Sequence, residues 1–294
     1  MPYLFLAAVS SVLLAVGLLM MKSRADVLPA AYGENLPRAV LQWLRDPMWT
    51  GGLVVQAAGY ALYVFSLTNA QISMVAVMQQ GGIALFVVLS ITLLGERARP
   101  SEWAGIFAII LGMLMLTLSL SADDSEGVMD PRALLALSAL LTVAGLAPYA
   151  IERLRSNGIA AAILSGMVFG LAGLFAKGMT DDLAARESVP FTLRVVSDPC
   201  IYGVIVCNIA GLVLLQNSFN AGRGIIVMPL SSALSNIVAI VGGMAAFAEH
   251  LPGDRTSAAM RIIAFLLTVA GSALLTDSRA PAVQPVAQRF ESTT

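Results

Sequence analysis

The sequence predicts an all-α polytopic membrane protein of about nine transmembrane helices, built as an inverted 4+1+4 repeat. Three observations carry that prediction. Of 294 residues, 58% are hydrophobic and 12% charged, against about 25% charged in a soluble domain. Nine long runs hold no Asp, Glu, Lys, Arg or His: about 3–21, 48–67, 73–94, 104–120, 133–151, 158–176, 200–218, 224–248 and 262–276. Finally, LAAVSSVLLAVGLLMMKS at 6–23 lies along AAILSGMVFGLAGLFAKG at 161–178, which sets Lys22 on Lys177.

A helix crosses the hydrocarbon core with about 20 apolar residues, and only helices or closed barrels satisfy their backbone hydrogen bonds there. Runs of this length, without turn residues every ten positions, exclude the alternating strands of a barrel. The first run follows no basic segment and precedes no small-residue cleavage site, so it reads as a span and not as a signal peptide. Between it and the second run, Leu36, Val40 and Leu44 recur every fourth residue beside Trp43, flanked by Arg38 and Arg45. That spacing suits a short helix in the lipid interface, with an ordinary solvated loop as the alternative.

The spans of the two halves correspond. Ser66 precedes Asn69-Ala70 as Ser218 precedes Asn220-Ala221, and each pair leads on to Val77-Met78 or Val227-Met228. The third span of each half closes on an acidic turn, Gly95-Glu96 or Glu249-His250, and the fourth shares a glycine, Gly112 against Gly271. The units are a first repeat over 1–121, a linker region with the fifth span over 122–157, a second repeat over 158–276, and a cytoplasmic tail, expected flexible, over 277–294. An odd span between two four-helix units inverts the second, an arrangement by which transporters build two gates around one midplane site.

Basic residues set the orientation. The first loop carries Lys22, Arg24, Arg38 and Arg45 and the third Arg97 and Arg99, while the second has none and the fourth only Arg132. The positive-inside rule then puts the N-terminus outside and the C-terminus in the cytoplasm. A multi-pass protein of a cell membrane, bacterial inner membrane by this reading, is expected. Net charge −1 offers no basic surface for nucleic acid. Cys200 and Cys207 share one helix with no metal-ligand set around them, so neither a metal nor a cofactor is expected. His250 is the single histidine and no span holds a carboxylate, which leaves no hydrolytic triad; the chain does not read as an enzyme.

Polar side chains inside spans are costly unless they meet a partner or a wet cavity, so they are the default site candidates. Gln56, Tyr60 and Tyr63 fall at i, i+4 and i+7 on one face of the second span. Gln79 and Gln80 open the third span, Asn208 lies in the seventh, and Ser232 and Asn236 share a face of the eighth. Such groups could also bond helix to helix, at about 0.6 kcal/mol each. Their concentration in equivalent spans of both halves favours a cavity over bonding alone. Gly166 and Gly170, with Gly173 one turn on, read as close helix packing. Glu96, Glu152 and Glu249 stand at helix ends, as solvated termini or partners of Arg97, Arg153 or Arg155.

These residues resemble the drug/metabolite transporter superfamily, whose EamA-type halves end in a glycine-glutamate turn, here GER at 95–97, and a final helix with a glycine, Gly112. The nine-span layout and the stretch QNSFNAGRGIIVMPLSSALSNIVAIVGGMAAFAEHL at 216–251 look most like the NIPA-type, magnesium transporter-like members. In one respect the chain departs from them: Gly59-Tyr60 stands where that group carries a glycine-glutamate pair. The resemblance implies a permease that moves a small solute by alternating access, or alternatively magnesium or another cation. A non-transporting membrane subunit or lipid-handling protein is the third alternative. Expected partners are a small-molecule or cation substrate and the lipid bilayer, with a homodimer left open.

Overall fold

The computed structural model describes residues 2–31, 35–67, 72–119, 130–185, 193, 196–247 and 254–276. Among these the chain is helical: α1 (Pro2–Ala25), α2 (Leu36–Arg45), α3 (Pro47–Leu67), α4 (Ile72–Leu93), α5 (Pro100–Leu118), α6 (Pro131–Leu146, continued by a 3-10 turn over Ala147–Ala150), α7 (Glu152–Ser156), α8 (Ile159–Ala185), α9 (Pro199–Ala221), α10 (Gly224–Ala246) and α11 (Arg255–Thr276). Each long apolar run of the sequence falls on one of these helices. Within the described residues, 6 helices are long and apolar enough to cross a bilayer unaided. The molecule is a multi-pass membrane protein: α6 and α9 turn Leu135, Leu140, Val143, Ile205, Val206 and Ile209 outward, a surface that only lipid solvates without cost.

Packing follows the small residues. The α1 helix runs against α3 and α4, α8 runs against α9 and α10, and α5 pairs with α11. A Cβ on Gly17 would meet the Gly52 carbonyl oxygen at 2.6 Å, and one on Gly105 the Gly271 carbonyl oxygen at 3.0 Å. Lipid supplies no hydrophobic drive for helix association, so such backbone approach, with its dispersion contacts, holds these pairs together. Gly166 and Gly170 do the same for α8 on α10, where a Cβ would reach the Ser231 oxygen at 2.4 Å and the Val238 Cβ at 2.5 Å. Gly173 differs from the packing expectation: nothing lies within 4 Å of its Cβ position.

The first long loop forms the expected short helix, α2. Ala39 and Trp43 are buried, whereas Leu36, Leu41 and Leu44 are exposed. Trp43 stacks obliquely on Trp49 at 5.7 Å and donates its indole N–H to the Pro29 carbonyl at 2.9 Å. The aromatic pair, and not the leucine stripe, therefore anchors the helix to the bundle.

Candidate functional site

A cavity of about 400 Å³ lies between α1, α3, α4, α5, α8, α9 and α10. Of the sequence candidates, Gln56, Tyr60, Ser232 and Asn236 line it, joined by Ser11, Ser231 and Ser235. The Gln56 Oε1 is buried and has no hydrogen-bond donor among the described residues. A buried acceptor left unpaired costs about 1–3 kcal/mol, which a bound solute or water can recover. Among the described residues that line it, none is Asp, Glu, Lys, Arg or His.

Asn208 lies elsewhere. Its side chain is exposed and donates to the Val204 carbonyl one turn back at 2.8 Å, so it satisfies itself along α9 and faces outward. The side chains of Tyr63, Gln79 and Gln80 lie outside the described residues, as do Glu249 and His250.

Pro229 adds a local weakness to the cavity wall. It lacks the N–H that would bond the Ile225 carbonyl, so the ladder of α10 is broken beside lining residues Met228 and Ser231.

Below the cavity the rings of Phe86 on α4 and Phe219 on α9 stack at 6.1 Å and 20°. Under them lies a knot of ionic and polar groups. The Lys22 ammonium, at the end of α1, donates to the carbonyls of Phe219 at 2.6 Å and Gly222 at 2.8 Å and stands 3.9 Å from Glu96. Glu96 in turn accepts the backbone N–H of Gly224 at 2.7 Å and of Ile225 at 2.9 Å. These are orphan donors of the first turn of α10, where the helix dipole also favours an anion.

Gly95 explains how Glu96 gets there. Its φ of 67° ends α4 in the left-handed region that glycine tolerates, and the chain folds back so that the next residue reaches α10. The glycine-glutamate turn is thus a helix terminator followed by a cap for a distant helix. This corrects the expectation that Glu96 is a solvated terminus or a partner of Arg97. Glu152 does pair with Arg155, at 2.6 Å on the surface.

Arg223, at the start of α10, pairs with Glu102 on α5, whose carboxylate is fully buried and also accepts the Arg99 N–H at 2.8 Å. The loop after α1 is bound to the same end of α9. Asn217 exchanges hydrogen bonds with Ala31 at 2.7 and 2.8 Å, Asn220 donates to the Leu28 carbonyl at 2.9 Å, and the Trp49 indole donates to Gln216 at 3.0 Å. Arg24 holds Asp46 through two contacts at 2.9 and 2.8 Å. The Arg24 hydrogen bonds keep the Asp46 carboxyl below its ordinary range.

The sequence is similar to that of a curated protein. The chain is 24% identical over 268 residues to the probable magnesium transporter NIPA9 of Arabidopsis thaliana, an alignment that covers 84% of this chain and 71% of that protein. No family model and no solved structure matches it.

Sequence reasoning missed the knot because its members are scattered along the chain: Lys22 meets carbonyls about 200 residues away. The one available signal was the placement of charged residues beside the ends of apolar runs, at 22, 96 and 223.

Proposed function

We propose that this protein is a membrane carrier of a small solute, of the drug/metabolite transporter type, working by alternating access through the cavity. The carrying observation is the cavity itself, set between helices of both halves of the chain and lined by polar groups. Similarity to a probable magnesium transporter supports the same class.

Nine spans in a 4+1+4 order fit the contacts between helix ends. Loops one, three, five and seven meet at one face, through Lys22 with Gly222, Arg223 with Glu102, and Ser218 with Gly158. Loops four and eight meet at the other, through Asp130 with Ala246 and Arg261 with Ser119. Alternating crossings would bring the odd loops to one face and loops four and eight to the other, in keeping with these contacts. Serines matched by the repeat make matched bonds: Ser10 of α1 donates to the Gly59 carbonyl of α3 at 2.8 Å, and Ser165 of α8 to the Gly211 carbonyl of α9 at 3.0 Å. Each half thus bolts its first helix to its second at an equivalent place, which supports two copies of one plan.

The knot is then the closed gate. By the positive-inside rule it lies on the cytoplasmic face, near Arg24, Arg38, Arg45, Arg97 and Arg99. For the solute to leave, Lys22, Glu96 and the Phe86–Phe219 pair must part, and the bonds they exchange are the ones a two-state carrier would break and remake.

Magnesium or another cation is the second reading, favoured by the similar protein's name. Magnesium sheds water reluctantly and prefers carboxylate oxygens. With no carboxylate among the described lining residues, an ion here would cross with most of its water, held by Gln56, Asn236 and the serines.

Uptake into proteoliposomes tests the proposal. Saturable entry of solute by the wild type, lost in Asn236→Leu at unchanged melting temperature, is expected. Equal uptake by both proteins would remove the cavity from the pathway. Rescue of a magnesium-transport-deficient strain by expression would select the cation reading, and failure with the protein present in the membrane would reject it.

A further inference from the structure

The cavity is walled by residues that the repeat matches to one another. The alignment that sets Lys22 on Lys177 sets Leu14 of α1 on Phe169 of α8, and both line it. The match of Val77-Met78 with Val227-Met228 sets Gly82 of α4 on Ser232 of α10 and Phe86 on Asn236, and all four line it too. Gln56 breaks the pattern, because its counterpart on α9 lies outside.

Three features fix which residue that counterpart is. The α3 and α9 helices each begin on Asp-Pro, at 46–47 and 198–199, and each aspartate accepts a backbone N–H of its own first turn, from Trp49 and from Cys200. The bond from Ser10 to the Gly59 carbonyl is matched by the bond from Ser165 to the Gly211 carbonyl. A Cβ on Gly59 would meet Leu14 at 3.1 Å, and one on Gly211 would meet the ring of Phe169 at 2.8 Å. All three give one register, and it lays Gln56 on Asn208: each is an amide three residues before that glycine and ten after that aspartate.

The two amides have opposite settings. Gln56 lines the cavity, and its Oε1 is buried without a donor among the described residues. Asn208 is exposed well inside the span over Pro199–Ala221, and its hydrogen bond among the described residues runs back to Val204. An amide left with most of its hydrogen-bonding capacity unmet at that depth is costly, which marks it as a group with a task in another state. Two halves of one inverted plan supply that state. Were they fully symmetric they would treat both faces alike, so a carrier closed at one face has unequal halves, and exchanging their conformations reverses which face is closed. The exchange gives Asn208 the setting that Gln56 holds here.

We propose that Asn208 is the second solute-facing amide of this site: when the knot parts, it lines the cavity from the half opposite Gln56 and takes there what the Gln56 Oε1 takes here, an N–H or O–H group of the solute. The inference rests on the carrier reading, to which it adds a binding residue. It also makes the two ends of the pathway chemically alike, so that the solute meets an amide oxygen whichever face it enters from.

The test is a set of bridging rates in the full-length protein in proteoliposomes, with Cys200 and Cys207 replaced by Ala. A short, membrane-permeant bifunctional thiol reagent traps any state that brings two cysteines together, so its rate follows the population of that state even when small. Gln56→Cys with Phe169→Cys gives the reference rate of a pair that faces one cavity. The counterpart pair, Asn208→Cys with Leu14→Cys, is expected to bridge at least 10-fold faster when Glu96→Gln loosens the knot than when the knot is intact. Ser11→Cys replaces Leu14→Cys should the first pair not fold. Suppose the Asn208 pair changes less than twofold while a cysteine at Leu215 on the cavity wall is labelled faster by a membrane-impermeant maleimide in the same Glu96→Gln background. That result would overturn the inference and leave the carrier reading standing. If neither rate changes, the knot is no gate and both fall.

Discussion

Replacing Glu96 by Gln perturbs the knot, which the carrier proposal makes the closed gate, at a single atom. In the wild type the carboxylate accepts two backbone N–H groups of α10, at 2.7 and 2.9 Å, and faces Lys22 at 3.9 Å, with a side chain only 10% exposed. Hydrogen bonds to a charged acceptor are worth about 1.5–3 kcal/mol each and neutral ones about 1. Glutamine keeps one oxygen, so one bond survives in neutral form and the other is lost with the charge. Lys22 retains the Phe219 and Gly222 carbonyls, so its ammonium is not stranded, and the cost stays under the 3–5 kcal/mol of breaking a buried pair outright. A loss of about 2–3 kcal/mol remains. If all of it falls on the closed state, the open population rises roughly 30- to 150-fold.

The assay is access to the cavity. With Cys200 and Cys207 replaced by Ala, a cysteine at Leu215 on the cavity wall reports opening by its rate of labelling with a membrane-impermeant maleimide applied from the knot side. Labelling at least 10-fold faster in Glu96→Gln is expected. A change under twofold, alongside a lowered melting temperature, would show the knot to be a structural brace and refute its role as a gate.

Two further predictions concern stability. In Gly166→Val the new side chain meets the Ser231 carbonyl oxygen at 2.4 Å and should destabilise by about 1–3 kcal/mol. Gly173→Ala meets nothing within 4 Å and should be neutral or gain up to about 1 kcal/mol of helix propensity; thermal unfolding in detergent separates the two. Asp46 makes stability pH-dependent at the α1–α3 junction. Its pKa is lowered in the folded state, so its contribution is present above the unfolded value near 3.8 and fades as pH falls through the folded one. Asp46→Asn should therefore be less stable than wild type at neutral pH, with the difference shrinking below pH 4; a constant difference across that range would remove Asp46 as its source.

Helix positions were legible because uncharged runs of 15 to 25 residues have one stable form in a bilayer. Which way each helix faces was not. Spans such as α9 are apolar on every side, so no amphipathic stripe tells the lipid face from the interior. Asn208 and Asn236 look alike in sequence, yet one is turned outward and bonds its own helix while the other lines the cavity. On α3 the i, i+4 spacing did carry information, and Gln56 and Tyr60 reach the cavity together. The acidic turn was visible as a motif but not as a cap, because its partner begins 128 residues later. On α2 the Leu36 and Leu44 positions that suit a lipid interface stay exposed, while Trp43 packed on Trp49 holds the helix to the bundle.

The most direct test of a carrier that opens and closes at this cavity is to lock it. In a protein with Cys200 and Cys207 replaced, cysteines introduced as Phe86→Cys and Phe219→Cys can be bridged by a reducible bifunctional thiol reagent across the stacked pair that floors the cavity. Uptake into proteoliposomes is predicted to stop on bridging and to return on reduction. Uptake that proceeds equally with the bridge in place would contradict the account.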